Sequence, residues 1–107
     1  MLWASLVYMF HCLDDPSLTY IGKTKRYLFK RVSEHLTKNS AILDHIRDCT
    51  ACQKPCQELI TRSFNVLTRS NSDFDLQILE ALFITTHRPH LNKQLATQGS
   101  SFLLNVF

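Results

Sequence analysis

The spacing of apolar residues changes several times along the chain, and each change marks an element. Leu6-Val7-Tyr8-Met9-Phe10 is a run of strand formers ended by the turn-forming Leu13-Asp14-Asp15-Pro16-Ser17, after which Leu18-Thr19-Tyr20-Ile21 resumes the strand pattern. Residues 5–22 therefore read as two strands joined by a loop. From Thr24 the period becomes helical: Leu28, Val32 and Leu36 form one stripe, and Thr24 is placed to cap a helix over residues 25–36. Ile42, Leu43 and Ile46 predict a shorter helix over Ser40 to Asp48, followed by a loop from Cys49 to Pro55. Ser63-Phe64-Asn65-Val66-Leu67 reads as a third strand, closed by the polar Thr68-Arg69-Ser70-Asn71.

The clearest helix is predicted from Asp73 to Thr86, with Ser72 and Asp75 in capping-box positions and His87-Arg88-Pro89 as the stop. Phe74, Leu76, Ile78, Leu79, Ala81, Leu82, Phe83 and Ile84 leave this helix almost no polar face, so burial on all sides is expected. Glu80 is its exception. No lysine or arginine lies within a turn of it, so a buried carboxylate here needs a distant cation, a metal or a raised pKa. The order strand, strand, helix, helix, strand, helix fits a single small α/β (α+β) domain, residues 1–107, with a largely antiparallel sheet. The tail Ser101–Phe107 reads as an edge strand or a cover for the core.

Composition adds one oddity. Of 107 residues 45% are apolar, enough for one core, yet only 2 are glycine, against about 7% in average usage. Each glycine kept therefore needs a reason. A net charge of +3 permits a polyanionic partner without requiring one. Cys49, Cys52 and Cys56 lie within eight positions, which suits a metal site or reduced thiols better than a disulfide framework. The N-terminal apolar run lacks basic flanks and is too short to span a bilayer, so no membrane association is expected and the chain is read as intracellular. Trp3, Tyr27, Phe29 and Phe64 are expected in the core.

Charge is concentrated rather than spread. Lys23, Lys25, Arg26, Lys30, Arg31 and Lys38 stand against the single acid Glu34 between Tyr20 and Lys38. Such a run is either a solvated helix face or a nucleic-acid contact. Arg31 and His35, four apart, emerge on one rim of the helix. A guanidinium that grips phosphate oxygens beside an imidazole that moves protons suits phosphodiester chemistry.

These residues together carry a resemblance. Leu6-Val7-Tyr8 and Tyr20-Ile21-Gly22 are separated by eleven residues, ten more separate Tyr20 from Arg31, His35 is four further on, and Glu80 and Asn92 follow. In this order the chain resembles the GIY-YIG nuclease superfamily over residues 5–93. The segments Ser40–Ile46 and Pro89–Lys93 look most like the endonuclease domain attached to Penelope-like retroelements. Leu6 departs from the glycine of the family's first tripeptide, a change that bears on packing.

The resemblance implies a central three-stranded antiparallel sheet flanked by helices, and a metal-dependent DNA endonuclease that nicks its substrate, derived from a retroelement and associated with a reverse transcriptase in an intact element, acting in the nucleus. Glu80 would hold Mg²⁺ or Mn²⁺, Arg31 would neutralise charge on the phosphate, and Tyr8, Tyr20 and His35 would orient and deprotonate water. Gly22, Lys23 and Asn92 would support them, with Lys25, Arg26, Lys30 and Lys38 on DNA. The alternative is a catalytically inactive, zinc-stabilised nucleic-acid-binding module. Penelope-like domains carry a cysteine pair between the tripeptides, of which Cys12, beside His11, remains here. His45, Cys49, Cys52 and Cys56 form a substitute set with spacings compatible with Zn²⁺, free core thiols being the other reading.

Overall fold

A computed structural model of the chain describes residues 4–38 and 40–92. Three strands, β1 (Leu6–His11), β2 (Thr19–Thr24) and β3 (Phe64–Arg69), form an antiparallel sheet in the order β2-β1-β3. The helices are α1 (Leu28–Thr37), α2 (Ala41–Asp48), α3 (Cys56–Ser63) and α4 (Asp73–His87), with 3₁₀ turns at Thr50–Cys52 and His90–Asn92. The anticipated tail strand and Trp3 lie outside the described residues.

Strand alternation divides the core into two layers. Leu6, Tyr8, Phe10 and the following Cys12 face α1, α2 and α3, where they pack with Leu28, Val32, Ile42, Ile46, Leu59 and Phe64. Val7 faces the other way with Ile21, against Leu76 of α4. A slip of one residue would exchange the two sets, so burial on both faces fixes the register of β1. Beside β1, strand β3 carries an extra residue: Val7 pairs with Thr68 but Tyr8 with Val66, a bulge at the level of Tyr8.

Several sequence expectations need correction. Thr24 does not cap α1; it ends β2, its hydroxyl accepts the Arg26 N–H at 3.0 Å, and the helix begins only at Leu28. Ser40, by contrast, caps α2 by accepting the Leu43 N–H, and Ser72 caps α4 by accepting from Asp75. The segment after Cys49 holds a 3₁₀ turn rather than an open loop, and α3, which lacks a long apolar stripe, follows it. β3 runs on through Thr68 and Arg69, where the sequence pointed to a turn.

Helix α4 is not buried all round. Leu76 and Ala81 are buried, whereas Phe74 is 66% and Leu82 42% exposed. A three-stranded sheet offers one side to a helix, and the described residues place no second layer outside it. Tyr27 and Phe29 also stand exposed rather than in the core, whereas Phe64 is buried.

Candidate active site

The site begins at Gly22. Tyr8 on β1 and Gly22 on β2 are direct cross-strand partners, and the Tyr8 ring lies over the glycine. A Cβ at position 22 would sit 2.5 Å from Tyr8 Oη, 2.7 Å from its Cζ and 3.0 Å from Tyr20 Cε1. Gly22 lies inside β2 without a positive φ. It is therefore required by the ring that crosses it.

That ring reaches α1. Tyr8 Oη lies 2.6 Å from His35 Nε2, both groups buried, and the His35 ring sits edge-on to Tyr8 and Tyr20 at 6.0 and 5.6 Å. Burial, joined by the neighbouring Tyr20 and by Glu80, raises Tyr8 well above the ordinary phenol range, while Arg31 pulls it down. Tyr20 is pushed up to about 12 by burial and by Glu80, again against Arg31. His35 is lowered to about 4 by burial and by the charge of Arg31. The imidazole is therefore neutral near pH 7, and in its Nδ1–H tautomer Nε2 accepts the Tyr8 O–H.

Glu80 approaches from α4. It is half-buried and has no ion pair among the described residues, and burial raises its carboxyl above the usual range while Lys23 and Arg31 draw it down. Arg31 thus lies close enough to act on the titration of Tyr8, Tyr20 and Glu80, and Lys23 close enough to act on that of Glu80. Two adjoining clefts share Lys23, Thr24 and Lys25. One, of about 280 Å³, is completed by Arg26, Arg31 and Glu34, and the other, of about 300 Å³, by Asp73, Leu76 and Gln77, one turn before Glu80.

Asn92 is buried at the outer edge of β2. Its Oδ1 accepts the Ile21 N–H at 2.8 Å and its Nδ2 donates to the Ile21 carbonyl at 2.9 Å. It pairs with the strand edge as a neighbouring strand would.

The basic residues divide. Arg26 donates to Glu34 at 2.7 Å, with Lys38 and Arg31 at 3.7 and 4.0 Å from the same carboxylate, and Lys25 pairs with Asp73. Lys30, exposed on α1, has no ion pair among the described residues. The candidate contacts Lys25, Arg26 and Lys38 therefore already have acidic partners at the surface, where such pairs are weak and readily exchanged.

The cysteines assemble differently from the expected set. Cys12, His45, Cys49 and Cys52 bring their ligand atoms within 4.8 Å of one another. Cys56 is elsewhere, its Sγ 3.6 Å from Ser33 Oγ, because Gln53-Lys54-Pro55 carries the chain away before α3 begins. Period had carried the information. Cys12 continues the Leu6, Tyr8, Phe10 face of β1, and His45 and Cys49 follow Ile42 at helical spacing.

Residues 4–94 match the family described as the GIY-YIG catalytic domain. Neither the curated proteins nor the solved structures searched gave a match to the chain. With the match spanning most of its length, and with the two tripeptides paired across β1 and β2, the chain belongs to the GIY-YIG family.

Proposed function

We propose that the protein is a metal-dependent endonuclease that hydrolyses DNA phosphodiester bonds, cutting one strand at a time. The observation that carries this reading is the meeting of Tyr8, Tyr20, His35, Arg31 and Glu80 around the side-chain-free Gly22, where a phosphate, a proton acceptor and a hard cation each find a partner.

Glu80 suits the cation. A half-buried carboxylate without an ion pair among the described residues, kept protonation-prone by burial, gains from a divalent ion, and Mg²⁺ or Mn²⁺ is commonly held by one carboxylate, waters and substrate phosphate. When bound, such an ion polarises the phosphate and stabilises the leaving 3′ oxygen. Arg31 pairs with the non-bridging oxygens as charge builds on them. That pairing also relieves His35 of the positive charge that lowers its pKa, so substrate binding makes the imidazole more basic. Tyr8 passes a proton from water toward His35 along the 2.6 Å hydrogen bond, and Tyr20 orients the water beside it. Lys23 draws the Glu80 carboxyl toward its charged form.

The finer reading is of an enzyme acting on nuclear DNA and derived from a retroelement, in which an intact copy would accompany a reverse transcriptase. Its support is the likeness of Ser40–Ile46 and Pro89–Lys93 to Penelope-like endonuclease domains.

Supercoiled plasmid incubated with the protein and Mg²⁺ tests the activity. Nicked circles that disappear with Glu80→Gln and Arg31→Ala are expected. Because Glu80 is held against its preference for solvent, Glu80→Gln is expected to keep or raise the melting temperature while abolishing nicking. Salt-sensitive binding without any cutting by the folded wild type would instead establish a nucleic-acid-binding module.

A further inference from the structure

The thiol cluster lies at the far end of the α1–α3 layer, apart from the residues assigned to hydrolysis. Its distances have a specific scale. Cys12 Sγ is 3.6 Å from Cys49 Sγ and 3.7 Å from Cys52 Sγ, and Cys52 Sγ is 3.7 Å from His45 Nε2. A tetrahedral zinc with bonds of about 2.3 Å to sulfur and about 2.0–2.1 Å to nitrogen has edges of roughly 3.8 Å between sulfurs and roughly 3.6 Å from sulfur to nitrogen. A disulfide needs about 2.05 Å. All four cysteines are free; three of the six ligand-to-ligand distances match the edges of a metal tetrahedron, and all six lie within 4.8 Å.

The surroundings point the same way. Cys12 and Cys52 are buried, yet Cys12 Sγ accepts the backbone N–H groups of Asp14 and Asp15 at 3.3 Å each, and Cys52 Sγ accepts that of Leu13 at 3.5 Å. Backbone amides aimed at sulfur are the outer hydrogen-bond donors that a metal-bound cysteine accepts. The turn after β1 thus serves as one half of a binding loop, and the end of α2 with its 3₁₀ turn as the other. The His45 ring is held edge-on by Phe10 with centroids 6.0 Å apart.

We propose that Cys12, His45, Cys49 and Cys52 bind one structural Zn²⁺ that fastens the β1–β2 connection to the end of α2. Four protein ligands close the coordination sphere, which excludes the open position of a catalytic zinc. Thiolate and imidazole select this soft-leaning ion, whereas Glu80 selects a hard one. The site is independent of whether the protein cuts DNA.

The test is metal analysis of protein purified under reducing conditions, together with Co²⁺ titration of the metal-free chain. One equivalent of zinc is expected, as are the intense visible bands and thiolate-to-cobalt charge transfer of a tetrahedral site. Cys12→Ser is expected to weaken Co²⁺ binding at least tenfold, and Cys56→Ser to leave affinity and spectrum unchanged. Loss with Cys56→Ser and retention with Cys12→Ser would overturn the ligand set. Absence of both zinc and a tetrahedral cobalt spectrum in the wild type would overturn the site, as would a Cys12–Cys49 disulfide under those conditions. The wild-type titration and Cys56→Ser give an answer even if Cys12→Ser fails to fold.

Discussion

The two tripeptide positions that differ in glycine content separate packing from chemistry. Leu6 is fully buried in the layer beneath α1–α3, so Leu6→Gly is expected to remove about 2–5 kcal/mol of stability while leaving the site assembled in the folded fraction. Gly22→Ala places a Cβ where Tyr8 Oη now lies. The phenol must move and its bond to His35 break, and displacement of about 1 Å can cost about 10²-fold in rate. Nicking assays well below the melting temperature should rank Gly22→Val and Gly22→Ala far below Leu6→Gly, and the opposite ranking would defeat this account. His35 has its own signature. Its pKa falls from 6.5 to about 4 on folding, so the folded state binds fewer protons between these values. The stability tied to keeping it neutral is complete above pH 6.5 and is lost as pH falls toward 4, by about 3 kcal/mol at 1.36 kcal/mol per unit. Glu80, raised on folding, has the opposite slope, so the comparison must be with His35→Gln. Denaturation across pH 4–7 should be flatter in that variant, and parallel profiles would show that His35 is not held neutral.

At the scale of elements, legibility followed from how many constraints each segment satisfied. β1, β2 and α2 were readable because period, turn residues and a cap agreed, as at Ser40. α1 began late because Thr24 was already engaged with Arg26, a local competition that a capping rule does not register. The exposure of α4 at Phe74 and Leu82 depends on how wide the sheet is, which no helix periodicity contains. Most of the candidate site is legible as motif spacing, but two features of its geometry are not: the ring over Gly22 depends on cross-strand register, and Asn92 acts through the backbone of an element 71 residues away. Asn92 supports an edge that nothing else described pairs with. Asn92→Ala is expected to cost about 1–3 kcal/mol by leaving Ile21 polar groups without partners, and Asn92→Asp to cost more by setting a carboxylate against the Ile21 carbonyl. Hydrogen exchange at the Ile21 amide should accelerate in both. An unchanged rate would mean that the clamp does not hold β2.

The whole molecule places two kinds of donor at different places on one short sheet. The residues proposed for hydrolysis gather near Gly22, while the cysteine and histidine donors gather beyond the end of β1. If the first takes Mg²⁺ and the second Zn²⁺, activity and stability should depend on different metals. Zinc bound only by the folded state stabilises it by about 4 kcal/mol at a thousand times its dissociation constant. For a domain of this size that is more than about 10 °C of melting temperature. Protein kept in zinc but freed of Mg²⁺ should therefore melt normally and fail to nick. Protein in excess Mg²⁺ treated with 1,10-phenanthroline, which favours transition metals, should melt at least about 10 °C earlier and lose activity only as it unfolds. Calorimetry and nicking assays on the same samples distinguish the cases. An enzyme whose nicking falls with phenanthroline while its melting temperature stays fixed would place the zinc in the chemistry, contrary to the closed four-ligand geometry.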